Sequence, residues 1–156
     1  MLGAAARRHP DVVGRVVAAG HAVGVHADRH VRHTDMTGAE GAEDLDRALA
    51  TLDGLGIRPA AWRTPWGVAA PWTRGLAAER GLRLVGWSAD THDWRGDDAA
   101  SMLAAVEADL RDGAVVLAHD GLGPGALRDG CRETVALIGP LVAAARERGL
   151  EPGTLR

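Results

Sequence analysis

Four polar clusters each close a separate apolar run, and this pattern constrains the fold more than any other feature of the chain. They are His26-Ala27-Asp28-Arg29-His30, Arg63-Thr64-Pro65-Trp66-Gly67, Asp90-Thr91-His92-Asp93-Trp94 and Leu117-Ala118-His119-Asp120. Short apolar runs that end in imidazole, carboxylate and guanidinium groups suit parallel α/β folds, whose chemistry sits at the carboxyl ends of the strands. The pattern predicts one active site, assembled around a cation from side chains between positions 26 and 119.

The segments between the clusters alternate helical and strand patterns. Pro10 to Gly20 reads as a helix with Pro near its start and Gly as terminator. His21 to His26 reads as a buried strand. Thr37-Gly38-Ala39-Glu40 has capping-box spacing, followed by Leu45, Leu49 and Leu52 before Gly54 and Gly56. Ile57 to Arg63 reads as a strand, Pro71 to Gly81 as a short helix and Leu82 to Ser88 as a strand. Asp97 and Asp98 open a helix expected to run to Gly113, and Ala114 to Ala118 is strongly strand-like. Glu133 to Gly149 is a final helix that Pro140 should kink or break. Residues 154–156 would begin a closing strand. The alternation predicts a parallel sheet or barrel with helices outside it, in a single domain covering 1–156.

Composition narrows the function classes. A charged fraction of 25% with net charge −3 gives no basic footprint for nucleic acid or an anionic membrane. No apolar stretch reaches membrane-spanning length. Met1 to Ala6 runs directly into Arg7-Arg8 without a leader pattern, so the default expectation is a cytoplasmic protein. Cys131 is the only cysteine, which excludes an internal disulfide and a cysteine-based zinc site. Of the five Trp, Trp62, Trp66, Trp87 and Trp94 lie in or beside the polar clusters.

The residues suggest roles and also leave alternatives open. His26 and His30, four apart, can reach one metal ion from a tight loop, or stand as solvated histidines. Arg63 can hold a carboxylate by a bidentate pair, or be an exposed loop arginine. Trp66 suits an apolar wall, or the core. Asp90 and Asp93 can orient an imidazole, or close a polar turn. His119, leaving a buried run, is placed for general acid or base work, or is a satisfied core histidine. His33, Asp28 and Asp35 add an imidazole and two carboxylates nearby, but none is needed for a metal site, and the reading favoured for each is an ordinary solvated loop residue. Gly121, Gly123 and Gly125 lack the lysine and helix start of a phosphate cradle.

Taken in order, these motifs resemble the NodB-type polysaccharide deacetylases, carbohydrate esterase family four. That family carries the motifs Thr-Phe-Asp-Asp, His-Ser/Thr-x-x-His, Arg-x-Pro-aromatic, Asp-x-x-Asp-Trp and Leu-x-His. The last four have counterparts here, in His26 and His30; Arg63, Pro65 and Trp66; Asp90, Asp93 and Trp94; and Leu117 and His119. Ala27 replaces the usual hydroxyl residue. The resemblance implies a distorted (β/α) barrel and a metal-dependent hydrolase that removes acetyl groups from N- or O-acetylated carbohydrate. It implies His26 and His30 as ligands of a divalent metal, zinc being the expected ion. His119, Asp90, Asp93 and Arg63 would be catalytic, and Trp66, Trp94 and Leu117 would line the substrate. The first motif has no counterpart. The expectation is therefore a domain incomplete at its N-terminus, with the third metal ligand and the catalytic base supplied from elsewhere. The alternative is a catalytically impaired member that binds sugar, or that self-associates through an uncovered sheet edge.

Overall fold

A computed structural model describes residues 1–155, and its backbone forms two compact units. The first comprises Met1–Gly86 with Thr154 and Leu155, the second Trp87–Gly153.

The first unit contains helices α1 (Gly3–Arg8), α2 (Pro10–Ala18), α3 (Gly38–Gly54) and α4 (Thr73–Glu79), and strands β1 (Ala61–Trp62) and β2 (Arg83–Leu84). β1 and β2 pair in parallel, Ala61 with Arg83 and Trp62 with Leu84. Single parallel bridges, Val25 to Trp62 and Leu2 to Ala27, continue the ladder on the other side. The paired segments are shorter than the runs that predicted them. Within His21 to His26, only Val25 takes part in pairing.

Helix α3 begins at the expected capping box: the Thr37 hydroxyl accepts from the Glu40 N–H, and the Glu40 carboxylate accepts from the Thr37 N–H at 2.7 Å. Such caps contribute about 1 kcal/mol. Its apolar face, Leu45, Ala48 and Leu52, packs with Ala6, Val13, Val25, Trp62, Ala77 and Leu82 to form the core. Gly3 is where α1 meets α3. A Cβ there would overlap Asp28 Oδ1 and lie 2.9 Å from the Ala48 Cα, so the contact admits no side chain.

The second unit contains β3 (Ala89–Asp90), β4 (Val116–Leu117), α5 (Ala99–Glu107) and α6 (Arg132–Glu147). β3 and β4 are parallel, Ala89 opposite Val116 and Asp90 opposite Leu117. The two helices pack together and bury Met102, Val106, Leu137, Ala144 and Ala145.

Three boundaries differ from expectation. Pairing in Leu82 to Ser88 stops at Leu84 and resumes at Ala89, with Gly86 between, a residue that weakens strand interiors. Asp98 caps α5 through the Ser101 N–H, but the helix ends at Glu107 rather than Gly113. Extending it would place Asp109 and Asp112 at the negative end of its dipole. Helix α6 runs unbroken through Pro140. The proline is exposed and forfeits one backbone bond, while the buried Leu137, Ala144 and Ala145 anchor the helix on both sides of it. Thr154 and Leu155 form no strand, and Arg156 lies outside the described residues.

Candidate active site

The candidate residues fall into two groups, one in each unit. In the first, the turn after Val25 carries both imidazoles. The ring centroids of His26 and His30 are 5.0 Å apart. His26 Nδ1 lies 2.5 Å from the carbonyl oxygen of Arg63. A carbonyl only accepts, so Nδ1 carries the proton and Nε2 presents its lone pair. Burial pushes the His26 imidazole down to about 3, which keeps it neutral at ordinary pH. The indole of Trp62 donates to the His26 carbonyl at 3.1 Å.

This turn is clamped from two helices. The Asp44 carboxylate, projecting from α3, accepts the Asp28 N–H at 2.8 Å, the Arg29 N–H at 3.2 Å and Arg29 Nε at 3.1 Å. The Ala27 and Asp28 carbonyls accept from the N–H groups of Gly3 and Ala4 in α1. Asp28 is buried and takes a two-pronged pair from Arg7, at 2.7 and 2.9 Å. Its carboxylate is thereby committed to structure.

Trp66 sits at φ +54°, with its ring 4.1 Å from that of His30 and the Arg32 guanidinium 4.7 Å from it. It covers the second imidazole from one side. His33 is buried between Trp62 and Trp72, and its Nδ1 is 2.9 Å from the Thr73 hydroxyl. That is a core role.

For a divalent ion the fit is partial. A tetrahedral zinc holding two imidazoles sets their centroids about 5 Å apart, and the His26–Arg63 hydrogen bond is the outer support that ligating histidines use. Among the described residues, no third His, Cys, Asp or Glu joins them in a metal-holding group.

The second group is built around Asp93, whose side chain is fully buried. Its Oδ1 accepts His119 Nδ1–H at 2.7 Å. Its Oδ2 accepts the His119 backbone N–H at 2.8 Å, Arg128 Nη1 at 2.9 Å and the Thr134 hydroxyl at 3.0 Å. Burial alone would raise this carboxyl. The hydrogen bonds from the His119 ring, its N–H and Thr134 outweigh burial and hold it below the usual carboxylate range. With Nδ1 bound, the working nitrogen of His119 is Nε2, on a side chain 34% exposed.

Of the two carboxylates, then, Asp93 engages the imidazole. Asp90 instead accepts the backbone N–H of His92 at 2.8 Å and shapes the left-handed turn at that residue, φ +52°. Trp94 is 37% exposed, with the Arg95 guanidinium 5.2 Å from its ring. Leu117 is buried, and its carbonyl accepts from both the N–H and the hydroxyl of Thr91. Arg128, Thr134 and Asp44 were not singled out in the sequence. An arginine in a glycine-rich loop, a threonine in the first turn of a helix and an aspartate among helical carboxylates carry no local signal.

A family model for polysaccharide deacetylase matches residues 1–85. A chitooligosaccharide deacetylase of Bradyrhizobium is 32% identical over 97% of this chain and 72% of its own length. A peptidoglycan-N-acetylglucosamine deacetylase of Listeria monocytogenes is 34% identical over 77% of this chain but only 25% of its own length. A family 4 carbohydrate esterase from Streptomyces lividans, solved in complex with acetate, matches with a TM-score of 0.88 at 27% identity, over 99% of this chain and 76% of that one. The chain belongs to the polysaccharide deacetylase family, and its fold is the NodB-type fold expected from the motifs.

Proposed function

We propose that this protein hydrolyses the acetyl group from an N-acetylated carbohydrate, with His119 as the general acid. The observation that carries the reading, within a family of deacetylases, is the 2.7 Å bond from His119 Nδ1 to the buried Asp93. Hydrolysis adds water across the acyl carbon–nitrogen bond, and the amine leaves only if it gains a proton. The Asp93 carboxylate fixes the ring through Nδ1, so Nε2 is the atom that delivers that proton and later recovers one from solvent. Trp94, exposed beside the turn that bears Asp93, is the candidate surface for the sugar face. Trp66, packed on His30, would orient that ring rather than meet substrate.

We further propose His26 and His30 as two ligands of a divalent ion, zinc by the match to imidazole donors. Such an ion, when bound, supplies Lewis acidity toward the acetyl oxygen and water. His26 contributes a neutral ring with Nε2 free, oriented through the Arg63 carbonyl.

The names of the relatives suggest chito-oligosaccharides and peptidoglycan fragments as the first substrates to try. The test is acetate release from acetylated chito-oligosaccharide in the presence of zinc, with wild type and His119→Gln. Turnover by wild type and a loss of about 100-fold or more in the variant are expected. Sugar binding without acetate release by wild type would overturn the reading.

A further inference from the structure

We propose that Arg128, acting with Thr134, is the positioning residue of the Asp93–His119 pair. The guanidinium is buried, its side chain only 7% exposed. Nη1 reaches Asp93 Oδ2 and the Thr134 hydroxyl; Nη2 reaches the carbonyls of His119 at 2.9 Å and Gly121 at 3.0 Å. One side chain thus holds both the carboxylate and the backbone that carries the imidazole. Arg128 is itself placed by its neighbour: the Leu127 N–H donates to the Trp94 carbonyl at 2.8 Å, which lays this loop over the Asp93-Trp94 turn.

The two oxygens of Asp93 are divided between tasks. Oδ2 takes Arg128, Thr134 and the His119 N–H, whereas Oδ1 receives only the ring. Three donors on one oxygen prevent the carboxylate from rotating, so Oδ1 stays aimed at Nδ1. A fully buried carboxylate without a cationic partner is strongly destabilised, and Arg128 is the cation buried with it. Asp93 thus holds the His119 ring and N–H, and Arg128 holds the His119 carbonyl. Asp90 and His92 are engaged with each other at the neighbouring turn, His92 Nδ1 lying 3.4 Å from Asp90 Oδ1. Arg128 touches no reacting atom in this scheme; it acts through Asp93.

The proposal rests on His119 as the general acid for its kinetic consequence, but its structural part can be read without substrate. Arg128→Met, Arg128→Lys and Thr134→Val would be compared with wild type by proton NMR, following the low-field resonance of the His119 Nδ1–H, and by steady-state kinetics. Arg128→Met should broaden or abolish that resonance and lower kcat by about 10- to 100-fold with KM within about twofold. Arg128→Lys should restore part of both, and Thr134→Val should weaken both by less. A folded Arg128→Met variant with the resonance and kcat intact would overturn the proposal. If Arg128→Met does not fold, an unchanged resonance and kcat in Thr134→Val would overturn it equally. If wild type releases no acetate, the functional reading fails, and the resonance alone decides the positioning role.

Discussion

The carbonyl oxygen of Arg63 accepts the Nδ1 proton of His26 at 2.5 Å, and this bond couples two motifs 37 residues apart. Trp62, the residue before, returns a bond from its indole to the His26 carbonyl. The main chain leaving β1 thus sets both the tautomer and the height of the first imidazole, whatever the Arg63 side chain does. Zinc titration of metal-free protein by calorimetry checks the consequence. Removal of either ring, in His26→Ala or His30→Ala, should weaken zinc binding by about tenfold or more. Equal affinity in wild type and both variants would remove these rings from any metal site.

The buried His26 also predicts how stability depends on pH. Its folded-state value of about 3 lies below the ordinary 6.5, so between those limits the unfolded chain takes up a proton that the native ring refuses. Stability from this group is complete above about pH 6.5 and declines as pH falls, with a slope of about 1.4 kcal/mol per pH unit. Burial shifts His33 in the same direction, with the Asp44 charge opposing. In urea titrations from pH 4 to 7.5 with chelator present, wild type should lose stability on acidification more steeply than His26→Gln. Parallel curves would show that the ring is protonated in the native state.

The sequence made some of this architecture readable and hid the rest for physical reasons. The capping box at Thr37 and Glu40 and the apolar face of α3 were legible, because both depend on residues within a few positions of one another. Val25, Trp62 and Leu117 were legible as strand residues from apolar runs that end in polar groups, although pairing covers only part of each run. The His119–Asp93 contact could be anticipated as one of two options. Choosing Asp93 over Asp90 depends on the left-handed turn at His92, a backbone property that the residue type does not announce. Arg128 was invisible because its role needs three acceptors from separate segments, and none lies at a fixed spacing from it. Asp44 was hidden in the same way: it sits on the buried face of α3, where periodicity alone predicts an apolar side chain, and its partners are 15 and 16 residues away.

Asp44 should therefore matter more than a typical helical aspartate. Its carboxylate satisfies two backbone donors in the turn between His26 and His30, and Asp44→Ala leaves the buried Asp28 N–H without its partner. An unsatisfied buried donor costs about 1–3 kcal/mol, and the turn that spaces the imidazoles loosens with it. Chemical denaturation should show that loss. Amide exchange should show faster opening at Asp28 and Arg29 than in wild type. Unchanged exchange at these two amides would mean that α1, through Gly3 and Ala4, holds the turn unaided.

Asp93→Asn tests the other group through folding rather than turnover. The native carboxylate accepts four hydrogen bonds, one of them from a buried arginine. A carboxamide replaces one acceptor oxygen by an NH2 group, which must face either the His119 ring N–H or the cluster of Arg128, Thr134 and the His119 N–H. Facing the cluster it sets donor against donor; facing the ring it forces His119 into the tautomer protonated at Nε2; and in both cases Arg128 is left buried without its counter-charge. The expected loss is about 3–5 kcal/mol in guanidinium melts at pH 7. Because the native carboxyl titrates below its ordinary 3.8, its contribution in wild type is present above that pH and lost as pH falls through the native value. The gap between wild type and Asp93→Asn should accordingly narrow in strong acid, as pH falls through the native value of the carboxyl. A variant that melts within about 1 kcal/mol of wild type at pH 7 would show that the carboxylate and arginine are dispensable to the fold and are held there for the imidazole alone.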